Sequence, residues 1–295
     1  MIGINRIIAA LLARLGGRIP DATYLKIRYR LIMGKTLDLE QPKSFNEKLN
    51  WLKVYYRNPL YTLLADKSTV KEYVSKQIGS EYVIPTYGVW DRFEDIDFDK
   101  LPNEFVLKST NGGGGSGIIL CTDKKQFNRK NSKFLVEKSM RKYDKIQREW
   151  VYYTIKPRII AEKLLKEPSG VDIRDYKFFC FDGVVKFFKI DFDRFSQHGA
   201  NYYDATGNIM HFGEKICPPD YNRNIPIPRN LSKMVFLAEK LSKEIPFVRV
   251  DFYNIDQQIY FGEMTFFPAG GMGEFTSDEW DNKIGSWLKL PLKNN

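Results

Sequence analysis

A chain of 295 residues, 43% hydrophobic and 15% aromatic, can build one large or two intimate domains and is too apolar for a linker or a tail. Three scattered cysteines without a C-x-x-C pair, and only two histidines, argue against a disulfide framework and a zinc site, so the cysteines are expected to be buried thiols and any metal to sit among oxygens. The net charge of +10 is uneven, because residues 1 to 35 hold Arg6, Arg14, Arg18, Lys26, Arg28, Arg30 and Lys35 against Asp21 alone.

In the first turns Ile4, Ile7, Ile8, Leu11, Leu12 and Leu15 share one helical face with arginines beside them, which predicts a basic amphipathic helix. Arg14 interrupts it too early for a bilayer span, and no small-residue cleavage site marks a signal peptide. Two uses stay open for residues 1–18: packing on the protein's own core, or peripheral contact with an anionic membrane. Over residues 44–56, Ser44 and Glu47 stand in capping-box spacing and Phe45, Leu49, Leu52 and Tyr56 share a face, which predicts a helix. Asp66 precedes a second helical run, Lys67 to Gln77, and Gly79 is a natural stop before an extended segment from Tyr82 to Tyr87. Phe105, Val106 and Leu107 then form an apolar strand that ends at Lys108, and Ile118 to Cys121 begin its antiparallel return.

The connection between those strands, Gly112 to Gly115 with Ser116 and Gly117, offers backbone N–H groups that can close over phosphate oxygens. It is neither a Walker loop nor a dinucleotide fingerprint, since no Lys-Ser/Thr follows and a strand replaces the helix. Lys108 would place an ammonium beside the same phosphates. The segment Lys156 to Leu165 reads as a short strand whose extended edge could pair with a purine, Glu162 accepting from its amino group and Leu164 or Leu165 packing on the ring. Asp172 to Phe181 reads as a strand bearing the cations Arg174 and Lys177, and the turn Asp182-Gly183 joins it to Val184–Ile190. Near the end, strands Phe247–Tyr253 and Gln258–Phe266 flank a turn at Asn254–Gln257. Period-two alternation puts Arg249, Asp251 and Tyr253 on one face and Val248, Val250 and Phe252 on the other, while Glu263 and Thr265 share a face. Coincident polar faces would bring two carboxylates and an arginine together, an arrangement suited to Mg2+ and substrate phosphates. The alternative is a solvated sheet face with one ion pair.

Lys108 with its glycine-rich hairpin, the run Glu162-Lys163-Leu164-Leu165, Arg249-x-Asp251 and Glu263-x-Thr265 resemble the ATP-grasp superfamily in order and spacing. More narrowly, DKSTVKEYV, LPNEFVLK, RIIAEKLL and DYKFFCFDG are similar to the TupA-like ATP-grasp family, named for teichuronopeptide biosynthesis, and the resemblance runs from about residue 20 onward. It implies an α+β ATP-grasp fold, with two α+β subdomains clamping ATP behind an N-terminal helical segment. The implied divisions are residues 1–65 for that segment, 66–165 for the lid-bearing subdomain and 166–295 for the subdomain with the Mg2+ site. By the same resemblance Lys67, Lys108, Ser109, Gly113, Gly114, Gly115, Ser116 and Lys177 belong to the nucleotide site. The hinge Glu162, Lys163, Leu164 and Leu165 would hold adenine, Asp251 and Glu263 would hold Mg2+, and Arg249 would steady the acyl-phosphate. Thr265, the third residue of the implied metal site, stands where the superfamily usually has asparagine; its hydroxyl can ligate Mg2+ but is a poorer ligand than an amide carbonyl, so action through water, or none, stays open.

The implied activity is an ATP-dependent carboxylate–amine ligase acting through an acyl-phosphate. Its implied substrates are a uronic acid of a bacterial surface polysaccharide, or its lipid-linked precursor, and an amino acid or other amine. The implied place is the cytoplasm, at the inner face of the plasma membrane if the N-terminal helix rests there. Other readings are a small-substrate amino-acid or peptide ligase, a degenerate ATP-binding protein with Thr265 as the motive, and a nucleic-acid-binding module. The last fits worst, because the Phe and Tyr residues fall in alternating strands where core packing explains them, and no nucleic-acid partner is expected.

Overall fold

Local chemistry sets the N-terminal helices in the computed structural model, which describes Leu12 and residues 16–111, 117–141, 145–167, 173–193 and 197–293. The amphipathic helix predicted at the start lies largely outside these residues, although Leu12 is buried in the main core. Helix α1 (Asp21–Met33) follows Pro20 and stops at Gly34, whose φ of 68° is the left-handed cap that glycine adopts without strain. Helix α2 (Phe45–Tyr55) has the predicted capping box: the Ser44 hydroxyl accepts from the Glu47 N–H at 3.2 Å, and the Glu47 carboxylate accepts from the Ser44 N–H at 3.0 Å. A short α3 (Leu60–Ala65) leads to α4 (Val70–Ile78). Helix α4 starts three residues later than its pattern predicts, because the Asp66 carboxylate accepts from the backbone of Ser68 and Thr69 and folds 66–69 into a turn. The extended segment expected at Tyr82–Tyr87 is also displaced. Tyr82 is buried in a 3-10 turn, and strand β1 (Thr86–Trp90) begins only after Pro85, which has no N–H to give.

Strand β1 joins β2 (Phe105–Ser109), β3 (Ile119–Cys121) and β4 (Ile159–Glu162) in an antiparallel sheet of order β1-β4-β2-β3. Phe105, Leu107, Cys121, Ile159 and Ala161 face a small core closed by Val136 of helix α5 (Arg129–Arg141). Alternation leaves Val106, Lys108, Leu120 and Glu162 on the opposite face, and Val106 is the cross-strand partner of both Leu120 and Glu162.

The second sheet holds β5 (Asp175–Phe181), β6 (Val184–Phe192), β7 (Gly199–Asp204), β8 (Ile209–Met210), β9 (Phe247–Ile255) and β10 (Gln258–Thr265), in the order β10-β9-β5-β6-β7-β8. Asp182 and Gly183, with φ of 50° and 75°, make the predicted two-residue hairpin between β5 and β6. Strand β9 runs two residues beyond its predicted end, because its turn contracts to Asp256 and Gln257, both at positive φ. Helix α6 (Leu231–Ser242) covers one face of this sheet, the face of Phe178, Cys180, Val248, Val250 and Phe252. All three cysteines are free and buried, as their spacing predicts.

The other face of the large sheet is divided. At one end it is aromatic, where Phe45 of α2 meets Phe247 edge-on at 4.9 Å and Phe179 stacks on Phe187 at 4.4 Å. Helix α7 (Asp278–Trp287) closes this end, with Trp280 stacked on Phe212. Burying each such ring contributes about 2 kcal/mol, which is why residues 21–65 pack on this distant sheet and not on the small sheet that follows them in sequence. At the other end the same face is charged.

Because Ser44 caps the helix that delivers Phe45, Ser44→Ala is expected to lower unfolding stability by about 1 kcal/mol. Urea titration followed by circular dichroism checks this; an unchanged midpoint would remove the cap from the account.

Candidate functional site

On the charged end, four neighbouring strands each place two polar side chains at alternate positions: Asp175 and Lys177, Lys189 and Asp191, Arg249 and Asp251, Glu263 and Thr265. Glu263 and Thr265 stand opposite Asp251 and Arg249 respectively. The Arg249 guanidinium donates through Nε and Nη2 to the two oxygens of Asp251, at 2.7 and 2.6 Å. Nη2 also reaches Glu263 Oε1 and Thr265 Oγ1, both at 3.1 Å. The Thr265 hydroxyl donates to Glu263 at 3.2 Å, so it orients that carboxylate. Burial pushes the Asp251 carboxyl up to about 7, against the pull of Arg249 and with Asp175 adding to the rise. Burial would raise Glu263 as well, but Lys67, Arg249 and Lys177 hold it down, to about 2. Glu263 is the accessible member, its side chain 36% exposed against 3% for Asp251.

Beside this pair Lys177, the cross-strand partner of Asp251, is buried between Asp175 at 2.6 Å and Asp191. Lys189 binds Glu214 at 2.8 Å and lies 3.6 Å from Asp191. Asp191, His198 and Cys217 approach one another closely enough to suggest a metal site. However, the Lys189 ammonium stands 3.5 Å from the Cys217 sulfur and already supplies a cation there, and burial pushes that thiol up to about 11. Lys177 was expected at the phosphates; its partners are instead these carboxylates.

The second half of the site lies on the small sheet. Lys108 and Lys71 bind opposite oxygens of the buried Glu162 carboxylate, at 2.5 and 2.6 Å. Burial would raise the Glu162 carboxyl, but the two ammonium groups overcome it and leave it below its ordinary value. Glu162, expected to accept from a purine amino group, has a lysine on each oxygen here. Ser109 is corrected too. As the next residue on β2 it points away from Lys108, and its hydroxyl meets that of Ser139 at 2.7 Å. Lys163 gives its backbone N–H to Pro85, and Leu164 and Leu165 follow β4 half-buried. Gly113, Gly114, Gly115 and Ser116 lie outside the described residues.

Lys67 links the halves. Its backbone N–H is fixed to the Thr110 carbonyl, while Arg158, hydrogen-bonded to Ser68 at 2.6 Å, pins the 66–69 turn. Its ammonium lies 3.9 Å from Glu263, and burial lowers its pKa, with Glu263 opposing and Lys108 adding to the fall. Lys71, Asp175, Lys189, Asp191 and Glu214 were not singled out from the sequence, although the strand residues among them repeat the alternation that marks Arg249 and Asp251.

The residues fit Mg2+. Two carboxylates on facing strands are hard oxygen donors, and Asp251 is an acid whose pKa burial raises despite its pairing with Arg249. Five carboxylates, Asp175, Asp191, Glu214, Asp251 and Glu263, gather here with the cations Lys177, Lys189, Arg249 and Lys67. Residues 47–289 match the profile of the family described as TupA-like ATPgrasp. The chain belongs to the TupA-like ATP-grasp family. Its fold is accordingly the α+β ATP-grasp fold, in a superfamily of ATP-binding ligases. None of the curated proteins compared with the sequence matches it. Among solved structures it is similar to D-alanine–D-alanine ligase from Bacillus anthracis, at 20% identity and a TM-score of 0.43 over 76% of this chain and 65% of that one. It is also similar to the ATP-grasp ligase PsnB complexed with a precursor variant, Mg and ADP, at 13% identity and 0.39 over 83% and 61%. A third is biotin carboxylase from Campylobacter jejuni, at 15% and 0.42 over 92% and 55%. The chain therefore spans less than two thirds of the length of each.

Glu162→Gln leaves two largely buried ammonium groups without their counter-ion and is expected to cost about 3 kcal/mol of stability at pH 7. A depressed carboxyl stabilises the fold above its unfolded pKa and loses that contribution as pH falls through the folded value. Denaturant midpoints of wild type and variant should therefore converge below the ordinary carboxylate range; a constant gap would contradict the pairing.

Proposed function

We propose that the protein is a carboxylate–amine ligase that consumes Mg-ATP and releases ADP and phosphate. The observation that carries this reading is the convergence of Lys67, Arg249, Asp251, Glu263 and Thr265 into one linked cluster on facing strands. A carboxylate oxygen of the acid attacks the γ-phosphorus of ATP and ADP departs. The nitrogen of the amine then attacks the acyl carbon, loses a proton, and inorganic phosphate leaves.

Both partners in the first step are anions, so cations must hold them in line. Lys67 and Lys108 would meet the phosphates, with Glu162 holding Lys108 and Lys71 until they do. Asp251 and Glu263 would hold Mg2+, whose positive charge offsets the phosphate oxygens. Arg249, fixed on both sides by carboxylates, would face the oxyanion that develops at the acyl carbon. Thr265 keeps Glu263 aimed and need not touch a metal.

For the acid, the family's association with teichuronopeptide biosynthesis favours a uronic acid of a surface polysaccharide or its lipid-linked precursor, and for the amine an amino acid. A net charge of +10 suits a polyanionic substrate, with attraction that weakens in salt. Use of ATP and three buried free thiols favour the cytoplasm. Among the described residues no helix is long and apolar enough to cross a membrane.

The test is purified protein with Mg-ATP against a panel of uronic-acid oligosaccharides and amino acids. One pairing should release ADP and phosphate in equal amounts, whereas AMP and pyrophosphate would contradict the mechanism. With that pairing, Asp251→Asn and Glu263→Gln are each expected to abolish turnover while circular dichroism stays native.

A further inference from the structure

Helix α5 presents two unlike faces. Ser132, Val136 and Ser139 are buried against the small sheet. On the outward side Phe134 and Leu135 are 61% and 38% exposed, and helical spacing puts Lys130, Lys138 and Arg141 around Phe134. Residues 124–141 hold seven basic side chains against Glu137 alone. Lys124 caps carbonyls of residues 98–101, and Lys133 is tied to Glu94. Lys130 and Lys138 form no ion pair among the described residues, and Arg141 reaches Glu137 only at 3.9 Å.

Single exposed apolar residues are ordinary on a protein surface. Here an exposed phenylalanine and, about a quarter-turn round the helix, a partly exposed leucine flank Lys138, among cations that lack close counter-ions among the described residues. A soluble polyanion would satisfy the cations and leave Leu135 in water. An anionic bilayer surface satisfies both, because apolar side chains enter the headgroup boundary while lysines and arginines extend to the phosphates. We propose that the outer face of α5 rests on an anionic phospholipid membrane, with Phe134 and Leu135 at the headgroup boundary and Lys130, Lys138 and Arg141 on headgroup phosphates. The placement suits an enzyme, because α5 covers one face of the small sheet while Lys108 and Glu162 project from the other. Docking there leaves the face that carries Lys108 and Glu162 uncovered.

The test is flotation of the full 295-residue chain with vesicles of phosphatidylcholine alone and of phosphatidylcholine mixed with an equal part of phosphatidylglycerol. The protein should float only with the anionic vesicles and be released by salt. Lys130→Glu combined with Lys138→Glu should weaken binding about tenfold or more. Phe134→Ser should weaken it severalfold, while Phe236→Ser, at another exposed phenylalanine on α6, should leave it unchanged. All these side chains are exposed, so native circular dichroism is expected in each variant. Absence of flotation would overturn the proposal. So would flotation undiminished by the α5 variants, which would place the contact on the basic residues 1–35, or binding to soluble polygalacturonate without binding to vesicles.

Discussion

A buried guanidinium has to be surrounded by acceptors, and the Arg249–Asp251 pair meets that demand in a way that organises everything near it. Two-residue spacing on one strand lets the side chains lie parallel and bond through two hydrogen bonds. Glu263 and Thr265 then fall opposite them on β10 and complete the guanidinium's partners. The arrangement is rigid because Val248, Val250 and Phe252, on the reverse face of the same strand, are fully buried.

The large sheet tolerates a charged half-face because its charges are paired. The aromatic end, built from Phe45, Phe179, Phe187 and Phe247, supplies the burial that stabilises the fold, while at the charged end ion pairs join β5 to β6 through Lys177–Asp191 and β9 to β10 through Arg249–Glu263. The small sheet reaches this end through Lys67, whose backbone is fixed to Thr110 and whose ammonium approaches Glu263. Nucleotide phosphates would thus meet lysines anchored on one sheet and carboxylates anchored on the other. Movement between the sheets would alter both sets of contacts together.

Much of this was legible in the sequence, and the reason is that the decisive signals are local. The capping box at Ser44 and Glu47, the Asp182-Gly183 turn and the alternation of Arg249-x-Asp251 depend only on residues a few positions apart. Asp175-x-Lys177 and Lys189-x-Asp191 carry the same signal, yet their meaning emerges only when sheet order sets them beside Arg249-x-Asp251. Lys71 gave no sign, since a lysine on a helix looks solvated until the fold brings Glu162 against it. The start of α4 and of β1 shifted for equally physical reasons: a carboxylate that prefers backbone N–H groups, and a proline without one. Ser109 illustrates the opposite failure, where proximity to Lys108 in sequence guarantees the other face of the strand.

The central claim is that Asp251 and Glu263 form the metal-dependent half of a nucleotide site. Calorimetric titration of ADP, with and without Mg2+, into the wild type and the Glu263→Gln variant tests it most directly. The account predicts that Mg2+ tightens ADP binding in the wild type and has little effect in the variant. An equal effect of Mg2+ in both proteins would contradict it.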